Sequence, residues 1–463
     1  MTLNSSIRLL RRSQIFVAGL CVLLFFVALA NFNGTISLNL LPTFEKSPYY
    51  TQDESHVYSW TTQSFFPSIK KPYDEKSVDL CDGFPQHLLN RIQIVLKTGT
   101  GEAEKTKAHL ETVSSCITNL LVFSDLEETV AGHHFIDILA DLPPSYQNQP
   151  DFAAYSAQKQ AHSEGRPVGY SSEGWKLDRF KFLPMVDKTY QMRPRADWYV
   201  FIEADVYYFW DTLFRLLDQL DPSMMHYIGS PAAGRDGTFF AYGGAGFVLS
   251  RGLMKRLVGD STQLSARYED YAVNDCCGDA ALGYAIMNKT GEPLQALYPT
   301  FAGDELNGLK MNQERWCIPL LALHRVTPAQ MKSLWAWERT RPYDENAFTH
   351  STLSDYLLSR LDASTTRGEW DNYADRLQLE DSPAHSSVSA CGSACASEPS
   401  CLEYSYSAGQ CRFGGFFQMG RPVPGSDYTS GWDMDKILSL GYQEDPDKTS
   451  SCKEATWLKP DIR

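Results

Sequence analysis

The chain has no surplus of basic charge. Lys and Arg number 42 against 56 Asp and Glu, a net charge of −14. A nucleic-acid partner normally needs a basic face, so the composition argues against that class. No internal repeat runs through the 463 residues. Nor does a histidine fall inside the cluster Cys391, Cys395, Cys401 and Cys411. Zinc sites use paired ligands at short spacings and often histidine, so the cluster reads as a small disulfide module instead. What is present is ordinary for a folded protein: 43% hydrophobic and 21% charged residues. The length exceeds what one core usually fills.

The N-terminus carries an address. Arg8, Arg11 and Arg12 precede an apolar run from Ile15 to Ala30. The positive flank predicts a cytosolic N-terminus with the body across a membrane. The run is short against the roughly 20 residues of a span, and Ala28-Leu29-Ala30 resembles a signal-peptide cleavage site. The reading is a cytosolic tail at 1–14 and a signal anchor at 15–32, with a cleaved signal and secretion as the alternative. Either sends the body into the secretory pathway, where ten of the eleven cysteines lie beyond the run and can pair. Asn33 and Asn288 begin glycosylation acceptor triplets there. Cys276 and Cys277 are expected to find separate partners. Residues 33–80, rich in Ser, Thr, Tyr and Pro, read as a stem.

The body begins near Cys81. Ile92–Leu96 reads as a buried strand, Glu102–Cys116 as a helix and Leu120–Phe123 as a second strand, a parallel βαβ unit. Trp198–Ile202 reads as a third buried strand, running into Glu203-Ala204-Asp205. Ligands of such sheets bind at the carboxyl ends of strands. Thr98, Asp125 and the Glu203/Asp205 pair all fall there. Carboxylates in that place suit a hard divalent cation that keeps positions open for substrate phosphates. Asp141–Gly174 is polar and turn-rich and reads as loop, Trp175–Tyr190 and Asp211–Leu220 as helices, and Phe247–Leu249 as a strand.

Four blocks then occur in order: Trp198–Tyr207; Tyr242-Gly243-Gly244-Ala245-Gly246-Phe247-Val248-Leu249-Ser250; Cys277-Gly278-Asp279-Ala280-Ala281-Leu282-Gly283; and Leu323-His324-Arg325. Over roughly residues 90–340 this order resembles the inverting β-1,3-glycosyltransferases of family 31, the group of fringe and the core 1 galactosyltransferase. The resemblance implies an α/β, GT-A-like Rossmann-type nucleotide-sugar domain over 81–345. It implies a UDP-sugar donor, a glycan or glycoprotein acceptor, Mn²⁺ as cofactor and a single-pass type II Golgi (or ER) membrane protein with a lumenal catalytic domain. Asp205 and His324 would hold the metal, and Mn²⁺ suits mixed oxygen and imidazole ligands. Glu203 stands where the family has Asp, so it is assigned with Ala204 to nucleotide or sugar contact. Thr98 and Asp125 match positions facing the nucleotide. Asp178 and Lys181 would meet ribose or phosphate, or form a surface ion pair at i and i+3. Gly243 and Gly244 would let backbone approach the sugar.

Asp279 matches the family's general base, which must take the acceptor's proton opposite the leaving group. Gly278 departs from the usual acidic residue before it. Asp275 is a rival base, and Asp279 could instead cap a helix starting at Ala280. His133 and His134, adjacent and read as helical, are assigned no role. Trp316, Trp335 and Trp337 are assigned to core or acceptor lining. After a linker at 346–370, residues 371–463 resemble a PAN/apple module. That resemblance implies a short helix with Cys391 and Cys395 stapled to the following strands as Cys391–Cys411 and Cys395–Cys401. Such modules bind protein or carbohydrate. A non-catalytic glycan- or protein-binding protein acting through this module is the alternative, favoured by Glu203 and Gly278.

Overall fold

The computed structural model describes residues 81, 84–340, 347–361, 365–440, 452 and 454–463. The expected tail, anchor and stem, with Asn33, lie outside the described residues. Among the described residues, no helix is long and apolar enough to cross a membrane.

The chain builds a mixed nine-stranded sheet around a parallel centre. Strands β1 (Ile92–Lys97), β2 (Leu121–Ser124), β3 (Glu128–Val130), β4 (His133–Asp137) and β5 (Trp198–Glu203) come first. β6 (Tyr207–Tyr208), β7 (Tyr227–Gly229), β8 (Phe247–Ser250), β9 (Gln295–Ala296) and β10 (Ala322–Leu323) follow. From one edge the order is Asp461–Ile462, β9, β7, β8, β5, β1, β2, β4, β3. β4, β2, β1 and β5 run parallel, while β8 is antiparallel to both β5 and β7.

The central strands are apolar because both faces are covered. Ile92, Ile94 and Leu96 of β1, with Trp198, Val200 and Ile202 of β5, face one core layer. Val95, Tyr199 and Phe201 face the other, which holds Phe182, Leu183 and Val186. These last belong to α2 (Phe182–Met192), while α1 (Ala103–Glu111) is the crossover between β1 and β2.

Several expectations need correction. The stretch 141–174 is not all loop: Phe152–Ser163 is helical. Its large buried residues are few (Phe152 and Tyr155), so its apolar stripe is too thin to announce a helix. His133 and His134 lie on β4, not on a helix, and His134 pairs with Glu127 at 2.9 Å. The segment 346–370 contains a helix, His350–Leu358, whose Leu353, Tyr356 and Leu357 enter the core. Cys276 and Cys277 are joined to each other. The expectation of separate partners fails because Cys81 pairs with Cys116 and Cys317 with Cys452, and the other cysteines among the described residues are taken by the C-terminal module. Trp316 is buried, and Trp335 and Trp337 pack against the same core.

The C-terminal module is a five-stranded sheet, ordered Thr366–Gly368, Thr429–Trp432, Glu403–Ser407, Gln410–Gly414 and Arg376–Leu377. A helix, Val388–Ser397, starts at Ser387, whose hydroxyl accepts from the Ala390 N–H. Cys391 and Cys395, four apart on one helix face, close the disulfides Cys391–Cys411 and Cys395–Cys401. The module shares the main core through Leu402, Phe417, Met419 and Trp432. Backbone bonds between Met311 and Phe417, in both directions, and a bond from the Gln418 side-chain amide to the Gly308 carbonyl (2.7 Å) tie it to the rest of the fold.

One buried acid makes stability depend on pH. Glu292 is 3% exposed, and burial pushes its pKa up to about 7 against a hydrogen bond from the Gln295 side chain. An unfolded Glu titrates near 4.3. The contribution is therefore full below about pH 4 and is lost as pH rises through about 7. Glu292→Gln keeps the acceptor and cannot ionise. The fall in melting temperature from pH 5 to pH 7.5 is expected to be smaller in this variant than in the parent, and an equal fall in both would refute the assignment.

Candidate active site

Three parallel strands deliver their carboxyl ends to one edge. In-register pairing sets Lys97, at the end of β1, opposite Glu203, at the end of β5. Because β8 runs the other way, its amino end starts at that same edge, with Phe247 opposite Phe201. The glycine block before β8 therefore faces the acidic pair. β6 pairs with β10, and the Val326 N–H donates to the Asp205 carbonyl at 2.9 Å, which brings His324 beside Asp205.

His324 Nε2 lies 3.5 Å from Asp205 Oδ1. The ligand atoms of Glu203, Asp205 and His324 all fall within 4.8 Å of one another, so together they could hold a metal ion. The Tyr242 hydroxyl sits 3.0 Å from His324 Nδ1, where it can orient the ring. Glycine is required beneath these groups. A Cβ on Gly244 would come within 2.7 Å of His324 Nε2, and one on Gly243 within 2.9 Å of Glu203 Oε1.

Asp279 lies in the first turn of α3 (Gly278–Thr290), which begins one residue before it with Cys277 as N-cap. Asp279 is thus not the cap of a helix starting at Ala280. Its Oδ2 accepts from the Gly243 N–H at 2.8 Å and its Oδ1 from the Ala280 N–H at 2.9 Å. Burial raises its pKa, and the Gly243 N–H partly offsets that. The rival, Asp275, faces Arg235 at 3.2 Å instead.

Lys97 is a charge that the sequence reading missed. Its ammonium lies 2.5 Å from Asp178 Oδ1, 3.2 Å from Glu203 Oε1 and 4.4 Å from the Phe182 ring centre. Burial pulls its pKa down, but Asp178 and Glu203 outweigh this and hold it raised. The available signal was a lysine closing an otherwise apolar strand. Lys105 was missed as well, and it bridges Glu102 at 2.8 Å and Asp205 at 3.0 Å. Burial would raise the pKa of Asp205, but His324 and Lys105 hold it below the ordinary value. Burial lowers the pKa of His324, against the pull of Asp205. Burial raises that of Glu203, with Lys97 opposing and Asp178, Asp205 and Asp279 adding to it.

A second cluster lies beside the first. Asp178 and Lys181 are not paired with each other: Asp178 takes Lys97, and Lys181 pairs with Asp125 at 3.0 Å, both nearly fully buried. The Lys181 ammonium also donates to the Thr98 carbonyl at 2.7 Å. Asp125 accepts from the Thr100 N–H, and the Thr98 hydroxyl meets that of Thr106. These groups order the loop after β1. Gly99, Gly101, Asp125, Trp175, Asp178 and Lys181 line a small cleft beneath it. Asn288 is exposed on α3, with its side-chain carbonyl accepting from the Tyr268 hydroxyl.

Residues 175–302 match the Fringe-like family model. The matched segment contains Asp178, Lys181, Glu203, Asp205, the glycine block and Asp279, and it supports a glycosyltransferase. Thr98, Asp125 and His324 lie outside it. No curated protein matches the sequence. Among solved structures, the glycosyltransferase GlyE of Streptococcus pneumoniae TIGR4 is similar at 12% identity and a TM-score of 0.29, over 58% of this chain and 64% of that one. A glycosyltransferase involved in glycosylation of the major capsid of PBCV-1 is similar at 11% identity and a TM-score of 0.28, over 53% of this chain and 99% of that one. The galactosyltransferase LgtC, solved with donor and acceptor sugar analogues, is similar at 11% identity and a TM-score of 0.21, over 42% of this chain and 70% of that one.

Proposed function

We propose that the protein transfers a sugar from a UDP-sugar to a glycan or glycoprotein hydroxyl with inversion, forming a β-1,3 linkage. The observation that carries this is the meeting, at one sheet edge, of Asp205 and His324 with an Asp279 held on the glycine block. Asp205 and His324, with Glu203 within reach, would hold Mn²⁺, which when bound neutralises charge on the departing diphosphate. Asp279 takes the proton of the acceptor hydroxyl as that oxygen bonds to the anomeric carbon. The bond from that carbon to the diphosphate breaks, and UDP leaves with the electron pair. Lys97 ties Asp178 and Glu203 to the end of β1. The disulfides and the apolar run near the N-terminus support a Golgi or ER setting, with the body in the lumen.

The departures at Glu203 and Gly278 favour the second reading, a non-catalytic glycan- or protein-binding protein. Thermal unfolding separates the two. UDP with Mn²⁺ at about 100 times its Kd adds about 2.7 kcal/mol. The melting temperature should rise by several degrees in the parent and not in Asp205→Asn or His324→Ala. Absence of any UDP response with Mn²⁺ in the parent would refute the transferase reading.

A further inference from the structure

A cleft of about 660 Å³ opens where the C-terminal module meets the catalytic body, a volume inside the roughly 300–1,000 Å³ of ligand sites. We propose that it binds the acceptor, and that the acceptor is an uncharged oligosaccharide. This rests on the transferase reading above, but its own evidence is separate.

The walls carry balanced charge. Asp304, Glu305 and Asp375 are set among Lys310, Arg376 and Arg421. Equal numbers give no net field to attract a polyanion or a polycation. They do give acceptors and donors side by side, which suits hydroxyl groups that both donate and accept. Among the described residues, Lys310, Asp375, Arg376 and Arg421 form no ion pair; Arg376 donates to the Ser400 hydroxyl at 3.4 Å, and Lys310, Arg376 and Arg421 lie against the Phe416, Phe413 and Tyr373 rings. Asp304 Oδ2 is buried with no hydrogen-bond partner, an acceptor that a ligand hydroxyl would satisfy. Tyr373 and Phe416, both half-buried, add ring surface for the apolar faces of sugar rings.

The position of the cleft points to the acceptor and not to a remote glycan. The Asp304 carbonyl accepts from the His324 N–H at 2.9 Å, and Glu305 pairs with Arg325 at 3.3 Å. A Cβ on Gly303 would lie 3.3 Å from the Tyr242 ring, and Tyr242 precedes the glycine that holds Asp279. The floor of the cleft is thus one backbone bond from the candidate metal ligand, while its far wall belongs to the module. A chain of several sugars lying in it could reach the reacting edge.

The test uses the full chain and calorimetric titration with a panel of neutral tetrasaccharides, their constituent monosaccharides and a sulfated tetrasaccharide. At least one neutral tetrasaccharide should bind, ten-fold or more tighter than its monosaccharides and than the sulfated probe. Phe416→Ala and Arg376→Ala, made separately, should each weaken it at least five-fold while the melting temperature and the UDP–Mn²⁺ response stay as in the parent. Absence of neutral tetrasaccharide binding, tighter sulfated binding, or parent-like affinity in both variants overturns the proposal. If UDP with Mn²⁺ gives no response but cleft-dependent tetrasaccharide binding persists, the transferase reading falls and the glycan site stands. A UDP response without cleft-dependent binding removes the cleft and leaves the transferase.

Discussion

Asp279→Asn is expected to lower sugar transfer by about 10²–10⁴-fold, the usual contribution of a positioned general base. UDP binding with Mn²⁺ should be unchanged. The two effects separate because Asp279 touches neither Asp205 nor His324 and is held by the Gly243 and Ala280 N–H groups. Asn supplies one acceptor oxygen for those two donors, so part of the anchor is lost, at a cost of about 1–3 kcal/mol. Removing a charge that burial disfavours offsets some of that cost. The melting temperature should therefore move little while turnover collapses. The pH profile is a second readout. A base must be ionised to act, and burial raises the pKa of Asp279, so the acid limb of kcat/KM should lie above the range of an exposed carboxylate. UDP release with a transferred donor, measured in parent and variant across pH, checks both. A variant retaining more than a tenth of parental turnover would mean that another group is the base.

Four strands of the central sheet, β1, β2, β5 and β8, were legible because each is a short apolar run; β3, β4, β7, β9 and Asp461–Ile462 were not, being two to five residues long and, in β3 and β4, largely polar. Ile92–Leu96 and Trp198–Ile202 stand out in this way, and the parallel pairing of β1 with β2 follows from the crossover helix between them. Thr98, Asp125, Glu203 and Asp205 could be placed at strand ends for the same reason. The partnerships among them were not legible. Asp178 and Lys181 sit three residues apart, which suggested a mutual pair. In the fold each turns instead to a partner more than 50 residues away in sequence, Lys97 and Asp125. Such pairing is set by the tertiary packing of α2 and the turn before it against the sheet edge, and no local period encodes it. The vicinal Cys276–Cys277 link was missed on a local argument, because the partners that would have been preferred are consumed elsewhere. The cleft at the module junction was invisible for a related reason. It joins residues near 304–310 to residues 373–421, and nothing in either segment signals the other.

Lys181→Met should destabilise the protein by about 3–5 kcal/mol, the cost of leaving one buried charge without its partner. Lys181 and Asp125 have side chains 3% and 2% exposed, so solvent cannot take over when one is removed. Asp125→Asn should be nearly as damaging, since it strands the ammonium with only the Thr98 carbonyl for company. The double variant, Asp125→Asn with Lys181→Met, is the informative one. The new amide oxygen can still accept from the Thr100 N–H, and the new thioether side chain fills the space of the ammonium and its stem, so neither charge remains. It should recover most of the loss, with the two single effects far from additive. Acid provides an independent check. Burial opposes ionisation of Asp125, but Lys181 and the Thr100 bonds outweigh it and lower its pKa. That stabilisation is present above the unfolded value near 3.9 and is lost as pH falls through the lowered folded value. The double variant has no such carboxylate and should lose less stability between pH 5 and pH 3. Melting temperatures of the four proteins at both pH values decide the matter. Additive single effects, or an equal acid response in parent and double variant, would show that the pair is not the unit that holds the loop after β1 against the sheet.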